Sequence, residues 1–211
     1  MIVAIDGPAG AGKSTVARRC AEALGLALLD TGAMYRAVTW VALARGVDLH
    51  DEVGCAGVAA ELELDFDAAG VLIGGVPREA EIRSREVDRA VSIVAAHSAV
   101  RRAIVPSQRK IARAGAVAEG RDTTTVVFPQ ADHRFFLSAS AEERARRRAA
   151  QRGGGADYEE ILADIQRRDR LDSTRADSPL TLGEGVIELD TDGLSADEVV
   201  EALLRLIRSA P

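Results

Sequence analysis

The stretch GPAGAGKST, running from Gly7 to Thr15, restricts the choice of fold more than any other part of the chain. It sets Gly7, Gly12, Lys13 and Ser14 in the spacing G-x-x-x-x-G-K-[ST], behind the apolar run Ile2–Ile5 and ahead of a helical pattern over Lys13–Leu24. The glycines let successive backbone N–H groups turn toward one anion, and the start of the helix adds the positive end of its dipole. Gly7, Pro8, Ala9, Gly10, Ala11, Gly12, Lys13, Ser14 and Thr15 are therefore expected to cradle ATP or a similar triphosphate. Lys13 would reach the outer phosphates, and the Ser14 hydroxyl would serve Mg²⁺. Such a loop joins a buried strand to a helix, which points to an α/β chain.

The remaining pattern agrees. Short apolar runs at Ile2–Ile5, Leu26–Leu29, Ala116–Ala118, Phe135–Leu137 and Val186–Leu189 read as strands buried on both faces of a parallel sheet. Helical periodicity lies between them, over about Met34–Arg45, Val87–His97, Val100–Ala114, Glu142–Gln151, Tyr158–Leu171 and Ser195–Ser209. Ser195-Ala196-Asp197-Glu198 has the form of a capping box. Residues 65–83 break the alternation with glycine turns between short apolar pieces, the signature of a small antiparallel hairpin or meander. Residues 152–157, RGGGAD, read as a flexible hinge. The expected architecture is one P-loop domain over 1–211, with an acceptor-binding region at about 31–97 and a short lid at about 144–175.

Charge limits the partners. A net charge of −6 argues against a nucleic-acid polymer or a membrane surface, both of which need a basic face. No run of apolar residues is long enough to span a bilayer, and Asp6 interrupts the first one. Cys20 and Cys55 lack metal spacing and read as buried thiols in a reducing cytoplasm. No oligomer-specifying patch stands out, so a monomer is the default expectation. His50, His97 and His133 have no triad or metal spacing, and Tyr35 and Trp40 read as core.

Of the 27 basic residues only Lys13 and Lys110 are lysine, and the arginines are densest in one segment. Between residues 142 and 175 stand nine arginines and eight acidic residues, a mixed array in which carboxylates orient guanidinium groups while leaving donors free for phosphate. The apolar stripe Ile161, Leu162, Ile165 continues at helical spacing into Arg168, Asp172 and Arg175, so these charges should face inward. Arg144, Arg147 and Arg148 likewise share one side of the preceding helix. Phosphoryl transfer between two anions needs such positive groups around the moving phosphorus, with water shut out.

IDGPAGAGKST, LLDTGAMYRA, AEGRDTTTVVFP and RRDRLDSTR, in this order, resemble bacterial cytidylate kinases from Ile2 to about Leu206. The resemblance implies a five-stranded parallel sheet with helices, a short lid and a small inserted sheet, and transfer of the ATP γ-phosphoryl group to CMP or dCMP with Mg²⁺. It assigns Thr31, Arg36 and Arg121 to the CMP phosphate, Ser92, Arg101 and Asp122 to the cytosine edge, and Asp172 to the ribose hydroxyls. Arg168 and Arg175 would bridge the phosphates, with Arg147 and Arg148 on the ATP side, so that Lys13, Arg121, Arg168 and Arg175 carry the catalysis.

Two departures stand out. The family often has Met-Gly-Thr after Gly-Arg-Asp, where this chain has Thr123-Thr124-Thr125, and Leu171 stands where the family often has a charge. The residues alone leave other roles open: Asp30-Thr31-Gly32 as a helix cap, Asp122 behind a magnesium ion, Ser92 bonding within its own helix. They also admit a related kinase acting on UMP, AMP, dTMP or shikimate. A nucleotide switch is the other class of reading, suggested by Asp190-x-x-Gly193 after a strand, although no guanine-reading N-K-x-D follows and a plain strand–turn–helix connection fits better.

Overall fold

The computed structural model describes residues 1–67, 70–151 and 157–209. They form two compact units, one of residues 1–28 with 115–211 and one of residues 29–114. The hinge expected at 152–157 lies, but for Asp157, outside the described residues.

The first unit is built on a sheet. β1 (Ile2–Asp6) pairs in parallel with β6 (Ala116–Gly120) on one side and β7 (His133–Ser138) on the other, and β7 pairs in parallel with β8 (Ile187–Asp190). β2 (Ala27–Asp30), where the chain passes into the second unit, completes the five-stranded order β2-β6-β1-β7-β8. The central strands β1 and β6 are buried almost throughout, as their apolar runs require. The edge strands differ from the expectation of two buried faces: β2 is only partly covered, and Ile187 of β8 is 46% exposed. An apolar run reports a preference for burial but not whether a neighbour is there to supply it.

Helices α1 (Lys13–Leu24) and α9 (Ala196–Ser209) pack Val16, Ala17, Cys20, Val199 and Leu203 into one core with Val3, Ile5, Val117, Phe135 and Leu137 of the strands. α9 begins with the expected capping box, Ser195 N donating to Glu198 Oε2 and Glu198 N to Ser195 Oγ. Helices α7 (Ala141–Gln151) and α8 (Tyr158–Ser173) close a smaller core through Ala145, Ile161 and Ile165. Residues 187–193 form strand and turn: Asp190 Oδ1 accepts from Asp192 N and Asp192 Oδ1 from Ser140 N, the plain connection rather than a switch. Burial pushes both free thiols up, that of Cys20 to about 11, so neither is a reactive thiolate at neutral pH.

The second unit is mostly helical, with α2 (Thr31–Ala44), α3 (Glu52–Glu61), α4 (Glu79–Ile82), α5 (Arg85–Val94) and α6 (Ser98–Ile111). Between α3 and α4 the expected meander is a three-stranded antiparallel sheet of β3 (Leu64–Asp67), β4 (Gly70–Ile73) and β5 (Val76–Pro77). It buries Val71 against Ala33, Ala37 and Ile82, with Trp40, Leu64, Phe66 and Ile73 around them. α3 and α4 were not legible as periodic segments; Gly54 and Gly57 dilute the first, and the second is a single turn. α2 starts three residues earlier than its apolar pattern, because Asp30 caps it by accepting from Ala33 N.

Candidate active site

The glycine-rich loop follows β1, and its shape rests on close packing. Gly7 has φ 150, and a Cβ there would lie 2.1 Å from the Leu137 carbonyl oxygen, so no side chain fits. Gly12, in the left-handed region at φ 89, starts α1 with no side-chain cap. Two carbonyls of the loop are instead held by cations: Lys13 Nζ donates to Pro8 O at 2.8 Å and Arg144 Nη1 to Ala9 O at 3.0 Å. The uncapped helix start, with its N–H groups open to an anion, is what a polyphosphate requires. Lys13 is buried, while Ser14 and Thr15 are exposed.

Arg144 is itself fixed, its guanidinium bidentate on the Asp169 carboxylate of α8 at 3.0 and 2.6 Å. α8 thus reaches the phosphate loop through α7. Nothing in the sequence pattern paired these two residues; the signal was limited to Arg144 on the inward side of its helix. Arg147 donates to Glu143 Oε1 and to the hydroxyl and carbonyl of Thr191, and Arg148 is half-buried.

The inward stripe of α8 is as expected: Ile161, Ile165, Arg168 and Asp172 are its buried residues. Arg168 pairs with Asp164 at 3.3 Å. Asp172 stands between two guanidinium groups, Oδ2 accepting from Arg121 Nε at 2.8 Å and Oδ1 lying 3.1 Å from Arg175 Nη2. The helix ends at Ser173, yet Arg175 stays inward, its side chain 4% exposed. Arg121, Asp172 and Arg175 thus belong to one mixed cluster with the Lys13 environment, since Arg121 and Asp172 both act on the Lys13 charge.

Burial lowers the Lys13 pKa to about 7, the Arg121 charge adding to the drop and Glu119, Asp6 and Asp172 opposing it. Asp172 is lowered too, but toward its charged form: burial alone would raise it, and Arg121 and Arg175 hold its carboxyl below the ordinary value. Arg121 keeps its charge, Asp172 outweighing burial. Two acidic neighbours went unrecognised in the sequence. Glu119, buried at the end of β6, had no pattern to mark it. Asp6 had one, an acid closing an apolar strand; burial raises its pKa against four hydrogen bonds from Thr123 and Thr124.

Asp122, buried, opens a π-helical turn over Thr123–Val127. The lost glycine does not strain it: Ser178 is the only non-glycine among the described residues with positive φ.

In the second unit, Thr31 is buried at the head of α2 and Arg36 follows on the same helix. Arg36 Nη1 pairs with Asp88 of α5 at 2.7 Å and lies 3.4 Å from Ile82 O. Ser92 is one turn beyond Asp88 on α5. Arg101 of α6 is buried, donates to Ala95 O at 3.2 Å and sits 5.1 Å over the Tyr35 ring. Asp88 was missed, as was Arg83, whose contacts to Asp30 and Glu79 tie α4 to the cap of α2.

No three-member group of His, Cys, Asp or Glu suited to a metal occurs among the described residues. Mg²⁺ is commonly held by one or two protein oxygens, retained waters and substrate phosphates. Ser14 carries an exposed hydroxyl and Glu119 a buried carboxylate, and the Asp6 oxygens accept from Thr123 and Thr124.

The family model described as cytidylate kinase matches residues 3–209. A bifunctional pantoate ligase/cytidylate kinase from Synechococcus sp. is 50% identical over 98% of this chain, which spans only 45% of that relative's length. A cytidylate kinase from Caldanaerobacter subterraneus subsp. tengcongensis is 47% identical, covering 98% of this chain and 94% of its own. Among solved structures, an uncharacterized protein from Eubacterium ventriosum superposes with a TM-score of 0.55 at 15% identity, over 100% of this chain and 99% of that one, a likeness of fold alone.

Proposed function

The chain belongs to the cytidylate kinase family, and from that premise we propose that it transfers the γ-phosphoryl group of ATP directly to CMP or dCMP, giving CDP or dCDP. The observation that carries this reading is the open phosphate loop with Lys13, in one unit with the Arg121–Asp172–Arg175 cluster. An oxygen of the CMP phosphate forms the new bond to the γ-phosphorus, the bond to the β–γ bridging oxygen breaks, and ADP leaves with that electron pair. The attacking oxygen already bears charge, so no general base is needed; positioning and charge stabilisation supply the rate.

In this reading Gly7–Thr15 hold the ATP phosphates, with Arg147 and Arg148 on the donor side. Lys13, Arg121, Arg168 and Arg175 surround the equatorial oxygens of the moving group. Thr31 and Arg36 hold the CMP phosphate, and Arg36 exchanges Asp88 for it. Ser92, Arg101 and Asp122 read cytosine, whose amino group and ring acceptors match a carboxylate and a guanidinium. Asp172 keeps acceptor directions for the ribose hydroxyls beside its two arginines. Ser14 and Glu119 would hold Mg²⁺, which neutralises phosphate charge when bound. No helix among the described residues is long and apolar enough to cross a membrane, and the two buried thiols suit the reducing cytoplasm we assign.

With ATP and Mg²⁺, a panel of nucleoside monophosphates should be turned over in the order CMP or dCMP first, with UMP, AMP and dTMP well behind. Preference for any of the last three would remove the cytosine assignment.

ATP loading also has a proton signature. Lys13, with a pKa of about 7 when free, regains its full charge beside the triphosphate. Binding should take up about half a proton at pH 7, about 0.9 at pH 8 and about 0.1 at pH 6. Calorimetry in buffers of different ionisation enthalpy reads this directly; zero uptake at pH 8 would rule it out.

A further inference from the structure

Asp6 is fully buried at the end of β1, and both of its oxygens are used by two consecutive residues far away in sequence. Oδ1 accepts from Thr123 N at 2.8 Å and Thr123 Oγ1 at 2.7 Å; Oδ2 accepts from Thr124 N at 2.7 Å and Thr124 Oγ1 at 2.6 Å. A carboxylate has about four acceptor directions, and here every one is filled by protein. Asp6 therefore has none left for a metal, a substrate proton or a ribose. Its use is mechanical.

What it grips is the π-helical turn that follows Arg121 and Asp122. The Asp122 carbonyl closes that turn by accepting from Val126 N at 2.9 Å and Val127 N at 3.1 Å, and Phe128 N donates to Thr123 O at 2.8 Å. A π turn has poor intrinsic stability and persists where its surroundings hold it, often beside functional groups. Backbone N–H groups alone would give Asp6 two bonds; the threonine hydroxyls supply the other two.

We infer that Asp6, Thr123 and Thr124 form a positioning clasp that aims Arg121 and Asp122, so that this chain's recognition of its acceptor depends on two threonine hydroxyls. The inference rests on the proposed CMP kinase reading. Asp6 also acts on the Lys13 charge, so substituting it would disturb the ATP side. The threonines are the cleaner test.

The double variant Thr123→Val, Thr124→Val keeps shape and both N–H groups while deleting both hydroxyls. Its KM for CMP should rise about tenfold and its CMP-over-UMP preference fall by about the same factor, the scale of hydrogen bonds to a charged group. KM for ATP should stay within about twofold. Thr123→Ser, Thr124→Ser restores the hydroxyls and should recover KM for CMP to within about threefold of the parent. A folded Val/Val protein with lower Tm but unchanged KM for CMP and unchanged base preference would reduce the clasp to a structural contact and overturn the inference. If the double variant does not fold, the single Thr124→Val is read by the same standard. Failure of the underlying reading looks different: the parent protein itself would show no preference for CMP.

Discussion

Lys13→Met should lower kcat about 10³-fold, the scale of losing one pre-placed donor at developing charge, while leaving Tm at pH 6 no lower than that of the parent. The two halves of this expectation come from the same burial. Lys13 is 5% exposed, and in the absence of phosphate its ammonium has the Pro8 carbonyl as its hydrogen-bond partner. Its folded pKa of about 7 lies below the ordinary 10.5. Between those values the unfolded chain holds a proton that the folded chain has released, so this group's contribution to stability increases as pH rises through that window and is least favourable below 7. Methionine fills similar space without the charge, so at pH 6 it removes a desolvation cost. A fold that tolerates a destabilised ammonium is using it for something other than stability. Steady-state kinetics and thermal unfolding at pH 6 and pH 8 separate the two effects. Near-parental turnover would dismiss the role of Lys13, and a kcat loss matched by collapse of Tm would dismiss the reasoning.

The contrast between what could and could not be read from the chain follows the same physics. The phosphate loop was legible because its backbone admits few residues: a Cβ at Gly7 would strike the Leu137 carbonyl, so glycine is required there. Arg168 and Asp172 were legible because they continue the period of Ile161 and Ile165, and the helix runs through both. Partners were not legible. Periodicity tells which way Arg144 faces but not that Asp169 receives it, nor that Arg36 meets Asp88. Asp6 and Thr123 are 117 positions apart, and only the parallel pairing of β1 with β6 brings them together. The missing glycine after Asp122 was an alarm that the structure quiets, since a π turn supplies the bend at negative φ. Asp30-Thr31-Gly32 was open between helix cap and a site role for Thr31, and the Asp30 carboxylate does cap α2, the helix that Thr31 begins.

Asp172→Asn should be damaging in two measurable ways. A carboxylate between two guanidinium groups becomes a neutral amide whose NH₂ faces one of them, leaving either Arg121 or Arg175 without its acceptor. Loss of a buried pair on this pattern costs about 3 kcal/mol of stability, and loss of aim for the two arginines to which the proposal gives the phosphates should lower kcat/KM for CMP about 10²- to 10³-fold. The pH dependence distinguishes this cause from a packing defect. Burial would raise the Asp172 pKa, but Arg121 and Arg175 overcome it and hold the group below its ordinary 3.8. A depressed carboxyl contributes its stability in full above the unfolded value and loses it as pH falls through the folded one. The stability gap between parent and variant should therefore be constant from pH 7 to about 5 and narrow below pH 4, where the unfolded parent's carboxylate starts to take up a proton that the folded one still resists. Arg121→Met adds the coupling test: if Arg121 and Asp172 act as one unit, the double variant is less impaired than the two single losses multiplied together. Strict multiplication in kcat/KM, or a stability gap that persists unchanged at pH 3, would mean that the carboxylate does not organise these arginines.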